Sequence, residues 1–140
     1  MYDLLQRIEE TVNLGECIVD VKAHPHCAGY AHSIELWEGS ELAGGLYGVA
    51  LGRAFFGESM FSGVTDASKI VMVYLCELLA RHGFAFLDCQ VFNPHLASMG
   101  AVEVPRARFL RELEDAVSAP APARAWREPA VTCDCLEHAA

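Results

Sequence analysis

Residues 44–106 read GGLYGVALGRAFFGESMFSGVTDASKIVMVYLCELLARHGFAFLDCQVFNPHLASMGAVEVPR. Several periodicities follow one another in this stretch. Its first part belongs to a strand over Glu41–Leu51 that Gly44, Gly45 and Gly48 interrupt; glycines inside a strand pattern mark a bulge or the close approach of another backbone. Gly52 and Arg53 turn the chain into a further strand, Ala54–Gly57. Thr65 or Asp66 then caps a helix running to about His82, with Arg81 and His82 suiting its negative end and Gly83 its stop. That helix is apolar almost all round, at Ile70, Val71, Val73, Tyr74, Leu75, Leu78 and Leu79, which predicts burial. Phe84–Val91 is a continuous apolar strand with Asp88 and Gln90 set into it. Asn93 caps a short helix over Pro94–Met99, with Pro94 at the first helical position and Gly100 at its end. Ala101–Val104 is predicted as a strand, and Pro105 opens a last helix to about Val117.

Upstream, Ser33–Glu38 alternates as a strand should, and Gly39-Ser40 turns it into the next. Cys17–Val21 is a candidate short strand, and Leu4, Leu5, Ile8 and Val12 have helical spacing. His24-Pro25-His26 reads as loop. Downstream, SAPAPARA (118–125) has the composition of a linker rather than a core. The predicted order gives an α+β fold: an antiparallel meander, then a strand–helix–strand crossover, forming a mixed β-sheet flanked by helices. Three regions follow: 1–29, a divergent N-terminal segment; 30–117, the main domain; and 118–140, a Pro/Ala-rich tail expected to be poorly ordered.

The chain has 140 residues, of which 53% are hydrophobic. That length suits one domain able to bury a core. No apolar run is long enough to cross a bilayer, and MYDLLQRIEE lacks the basic start and apolar stretch of a signal peptide; the expected location is the cytoplasm. The formal net charge of −9 excludes a generally basic surface of the kind that binds DNA through its phosphates. Arg106, Arg108 and Arg111 on the last helix, with Arg124 and Arg127, form the candidate local basic patch; its plainer reading is a solvated helix face. The six cysteines are expected as free thiols. His24, His26 and Cys27 could meet Cys133 and Cys135 around zinc, but the spacing is poor for a metal site, and none is assigned.

Asp88 and Gln90 stand two apart on a predicted strand and so share a face. Among apolar neighbours a carboxylate needs a partner, and an amide both donates and accepts. Taken alone, the pair reads as a structural hydrogen bond. Glu58, after Gly57, reads alone as an exposed acid. Leu46, Phe55, Phe56, Met60 and Phe61 read alone as core. No P-loop or dinucleotide fingerprint is present. The stretch before the long helix has a single glycine and an Asp that repels phosphate, which argues against coenzyme A. No cofactor is expected.

Taken together, GGLYGVALGRAFFGESMFS, TDASK and FLDCQVFNPHLASMGAVEVPR resemble the C-terminal catalytic domain of leucyl/phenylalanyl-tRNA–protein transferases, and His32-Ser33-Ile34-Glu35 matches as well. The resemblance runs from about Tyr30 to Leu113. It implies a GNAT-like fold and transfer of Leu, Phe or Met from aminoacyl-tRNA to the N-terminal α-amine of proteins beginning with Arg or Lys, which tags them for degradation. The partners it implies are aminoacyl-tRNA and such proteins, with neither membrane nor DNA. It assigns Asp88 and Gln90 to catalysis, Glu58 and Asn93 to the acceptor peptide, and Leu46, Phe55, Met60 and Phe61 to the aminoacyl side-chain pocket. Family members also carry an N-terminal domain whose aromatic residues help hold the terminal adenosine of the tRNA. Nothing in residues 1–29 matches it, so the expectation is an intact aminoacyl pocket with much of the tRNA grip missing. A non-catalytic module that binds peptide N-termini, or a paralogue acting on another donor or acceptor, is the alternative.

Overall fold

The computed structural model describes residues 17–24 and 29–132. The helical spacing at 3–12 and the cysteines and histidines at 26–27 and 133–138 lie outside them. Four strands run antiparallel in chain order: β1 (Cys17–His24), β2 (Ala31–Glu38), β3 (Glu41–Leu51) and β4 (Ala54–Ser62). Helix α1 (Ala67–Arg81) crosses over to β5 (Phe86–Asp88), which lies parallel to β4. After it come α2 (Pro94–Ser98), α3 (Arg106–Ser118), a 3-10 turn (Ala123–Arg127) and β6 (Val131–Thr132), giving the sheet order β5-β4-β3-β2-β1-β6. The fold is α+β with one mixed sheet, as the order of sequence patterns requires. No helix of the described residues is long and apolar enough to cross a membrane.

One face of the sheet carries Val19, Ile34, Leu36, Leu46, Ala50 and Phe55, all buried, and α1 lies on it with Ile70, Val71, Val73, Tyr74, Leu75 and Leu78 buried beneath. The all-round apolar pattern of α1 thus corresponds to a helix with little exposed surface. Gly44 permits this packing, because a Cβ there would sit 2.7 Å from the Cβ of Ala67 at the start of α1. Gly48 clears space for Phe55, whose ring would lie 2.7 Å from an added Cβ. Both are close approaches of the sort the glycine pattern predicts.

The structure corrects several expected boundaries. β4 runs on to Ser62 because β3 is long enough to pair with it throughout. α1 has no side-chain cap: Asp66 takes a left-handed φ of 63° and pairs with Lys69 at 2.8 Å. The strand expected at 84–91 shrinks to Phe86–Asp88. At its start, the Phe84 N–H is spent on the Leu79 carbonyl that ends α1 (3.0 Å). At its end, Gln90 turns the chain with φ 63°. Residues 101–104 form no strand; the Ala101 N–H bonds to Leu96 O at 3.1 Å, closing α2.

The largest correction concerns the tail. Residues 123–127 turn back onto the sheet and bury Ala125 and Trp126. The Trp126 indole stacks on His32 with ring centroids 4.0 Å apart and also meets Phe55 and Phe84. Glu128 accepts from Arg81 at 2.7 Å and pairs with His82 at 2.7 Å, and β6 pairs with β1. The Pro/Ala run at 118–122 is therefore a short connection to a packed segment.

Candidate functional site

The site forms where β4 and β5 lie side by side. The β3–β4 register jumps from Tyr47↔Ser59 to Gly48↔Gly57, leaving Glu58 as the extra residue of a bulge. A bulge re-aims its side chain and shifts the alternation beyond it. Met60 consequently faces the helix side opposite Leu46, and the next residue, Phe61, faces away.

At the end of β5 the chain makes a tight turn. The Gln90 N–H donates to Asp88 Oδ1 at 2.7 Å, which supports the left-handed backbone at Gln90. The Gln90 amide then reaches across to β4. Its Nε2 donates to the Gly57 carbonyl at 2.8 Å and to Glu58 Oε1 at 3.1 Å. An amide NH2 has two donors, and both are spent. Among the described residues no hydrogen bond is made to the amide oxygen, which remains available as an acceptor.

Asp88, Gln90 and Glu58 are thus brought together, but by a different route from the one strand alternation predicts. β5 ends at Asp88, so Asp88 and Gln90 meet through a turn rather than on one strand face. Asn93 lies just beyond, and its Oδ1 accepts the Leu96 N–H at 2.8 Å, capping α2. That cap fixes the segment that carries Leu96, the single buried residue of α2.

Two cavities adjoin this cluster. The smaller, about 130 Å³, is lined by Leu46, Met60, Met72, Leu87 and Leu96 together with Gly57 and Glu58, the residues that the Gln90 amide bonds. The larger, about 750 Å³, contains Asp88 and Gln90 in its wall and opens between β5, the 91–104 segment and α3. Met72, Leu87, Cys89 and Leu96 border both. Of the residues expected to form a side-chain pocket, Leu46 and Met60 line the small cavity. Phe55 does not: it is fully buried against Trp126. Phe61 does not either: it is half-exposed on the other face, its ring under Gly45. Met72, Leu87 and Leu96 escape a sequence reading because they lie on three separate elements. The one local hint is Leu96, the sole large apolar residue of PHLAS.

Cys89 sits between Asp88 and Gln90. Burial pushes its thiol pKa up, and the Asp88 charge adds to this. Burial and the neighbouring Cys89 push Cys76 up to about 11. Both remain thiols at neutral pH and are poor nucleophiles. The chemistry available here is therefore positioning by an oriented amide and two carboxylates. Among the described residues no cluster of His, Cys, Asp or Glu is arranged to hold a metal.

Comparison with known proteins adds an independent observation. A family model described as leucyl/phenylalanyl-tRNA protein transferase matches residues 10–114, beginning earlier than the Tyr30 from which the motifs are legible. Proteins named leucyl/phenylalanyl-tRNA--protein transferase are similar to the chain. The one from Bordetella petrii is 57% identical over 98 residues, covering 70% of this chain and 39% of that protein. The one from Solidesulfovibrio magneticus is 59% identical over 91 residues, 65% of this chain and 37% of the relative. The Yersinia enterocolitica protein is 44% identical over 118 residues, 84% and 50% respectively. The chain thus spans half or less of the length of these relatives.

Proposed function

The chain belongs to the leucyl/phenylalanyl-tRNA protein transferase family, and we propose on that premise that it transfers a leucyl or phenylalanyl group from aminoacyl-tRNA to the N-terminal α-amine of a protein beginning with Arg or Lys. The observation that carries this reading is the Gln90 amide, held by Gly57 O and Glu58 with no hydrogen bond to its oxygen among the described residues.

The small cavity suits one aliphatic or aromatic side chain of the donor. Its ester would then lie beside Glu58, which lines that cavity and bonds the Gln90 amide. The acceptor amine donates an N–H to the Gln90 oxygen, which directs its lone pair at the ester carbonyl carbon. Attack forms the C–N bond. Collapse of the tetrahedral intermediate breaks the C–O bond, and the proton lost from nitrogen goes to the departing ribose oxygen, directly or through water. An amide is too weak a base to remove that proton outright, so Gln90 orients. The ester is already activated and the α-amine has a reference pKa near 8, so orientation is the main requirement. The carboxylates of Glu58 and Asp88 favour a basic first residue by charge. The donor tRNA, the basic acceptor and the roles of Asn93, Leu46 and Met60 are parts of the same proposal.

Incubating the chain with Phe-tRNA and an Arg-starting peptide tests it. The expected result is a peptide heavier by one phenylalanyl residue, with the product lost in Gln90→Ala. Peptide binding without transfer would instead favour a non-catalytic module for peptide N-termini.

A further inference from the structure

We propose that the acceptor polypeptide, beyond its first residue, lies extended along the outer edge of β5 inside the 750 Å³ cavity and pairs with that edge through its main chain. This rests on the acceptor site proposed above and names how the rest of the acceptor is held.

β5 is the terminal strand of the sheet, with no strand on its outer side among the described residues. Ala50 donates its N–H to Tyr30 O on the β2 side, so Val49 and Leu51 face β4. Their partners Phe56 and Ala54 face β3, which leaves Phe55 facing β5. In the parallel register Phe55↔Leu87, Phe55 pairs with Phe86 and Asp88. Main-chain groups alternate in direction along a strand, so the N–H and C=O of Leu87 turn outward. A free edge with outward groups is a template for another strand. The large cavity runs along this edge, from Phe86 to Gln90, with Val102 and Phe109 across from it. Its volume, set against about 130 Å³ for the small cavity, provides room for several residues. Val91, Phe92 and Val102 in its wall are apolar yet 68%, 50% and 77% exposed, a cluster typical of surfaces that meet a partner.

Direction follows from the site. The amine must reach the Gln90 oxygen, beyond the C-terminal end of β5. The acceptor chain then runs back past Phe86, antiparallel to β5. Main-chain pairing carries no sequence preference, which suits an acceptor defined by its first residue alone, while the cavity walls favour apolar side chains at the next two or three.

The test measures binding of a fluorescent peptide, Arg-Leu-Phe-Ala-Gly-Ser, to the full chain by anisotropy. Two further versions are N-methylated, one at residues 2 and 3 and one at residue 6. Methylation at 2 and 3 should weaken binding tenfold or more and methylation at 6 should not. Val102→Asp should weaken the parent peptide several-fold while leaving the unfolding midpoint unchanged. Equal binding of all three peptides, or of none, overturns the inference. Transfer from Phe-tRNA to the parent peptide is measured in parallel. If the parent is aminoacylated but methylation has no effect, the strand pairing is wrong and the transfer reading stands. If methylation matters but no phenylalanine is transferred, the transfer reading is wrong and the pairing stands.

Discussion

Gln90 holds a left-handed backbone conformation (φ 63°), which costs an ordinary L-residue about 1 kcal/mol. The Asp88 carboxylate offsets this by accepting the Gln90 N–H at 2.7 Å. In the proposed transfer, Asp88 would act as a positioning residue, through the turn that aims Gln90. This gives a paired prediction. Gln90→Ala removes the oriented acceptor and should lower transfer about 100-fold in kcat, since orienting groups act mainly in the transition state. Asp88→Ala should lower kcat about tenfold by loosening the turn, whereas Asp88→Asn, which keeps an acceptor oxygen, should retain most activity. Single-turnover rates with Phe-tRNA in excess would measure both; equal loss in Asp88→Asn and Asp88→Ala would assign the Asp88 charge a direct role. That Asp88, Gln90 and Glu58 form one cluster was legible only through the resemblance of their motifs. Strand alternation brings the first two together by an argument that fails, because the strand stops at Asp88. The Glu58 bulge depends on a register between two strands, which local sequence does not specify.

The elements most visible in sequence are those whose pattern is local: α1 from its apolar run, β2 and β3 from alternation and turn chemistry, and α2 from Asn93-Pro94. Those read wrongly depend on distant partners. Residues 101–104 have strand composition but meet no strand edge, and Trp126 sits in a Pro/Ala context yet closes the core against His32, Phe55 and Phe84. Trp126→Ala should thus destabilise the fold by about 3–5 kcal/mol, measurable as a lower urea midpoint. A tail that contributes nothing to the core would leave the midpoint unchanged. Gly48→Ala is the matching test inside the sheet. The new Cβ meets the Phe56 carbonyl and the Phe55 ring, so the loss should be about 1–3 kcal/mol. The burial of His32 beneath Trp126 makes stability depend on pH. Burial, then the neighbouring His24, lowers the His32 pKa from 6.5 to about 4. The folded state keeps this imidazole neutral while the unfolded chain protonates near 6.5. The His32 contribution is therefore constant above pH 6.5 and turns destabilising as pH falls from there through about 4. Urea midpoints at pH 7 and pH 4.5 should differ more in the parent than in His32→Gln.

At the scale of the whole molecule, charge would govern how an aminoacyl-tRNA donor is met in the proposed reaction. The formal net charge is −9, and tRNA is a polyanion. The candidate basic helix does not compensate: α3 carries Arg106, Arg108 and Arg111, but also Glu112, Glu114 and Asp115, and Arg108 is already paired with Glu112 at 2.8 Å. The field around the chain therefore offers little attraction for a phosphate backbone. On the proposed reading, the donor would be held at its aminoacyl end, in the small cavity and beside Gln90. The prediction is that a phenylalanyl ester of adenosine serves nearly as well as whole Phe-tRNA, with KM values within about tenfold. The salt dependence should be shallow. A protein neutralising many phosphates loses affinity by about 10³ or more between about 50 mM and about 200 mM salt, whereas KM for Phe-tRNA here should change by less than about tenfold. Gln90→Ala should impair both donors equally, because it acts at the ester that they share. Steady-state transfer to one Arg-starting peptide, from each donor at the two salt concentrations, measures all of these together. Tight, steeply salt-dependent binding of whole tRNA would mean that phosphate contacts, rather than the aminoacyl end, hold the donor.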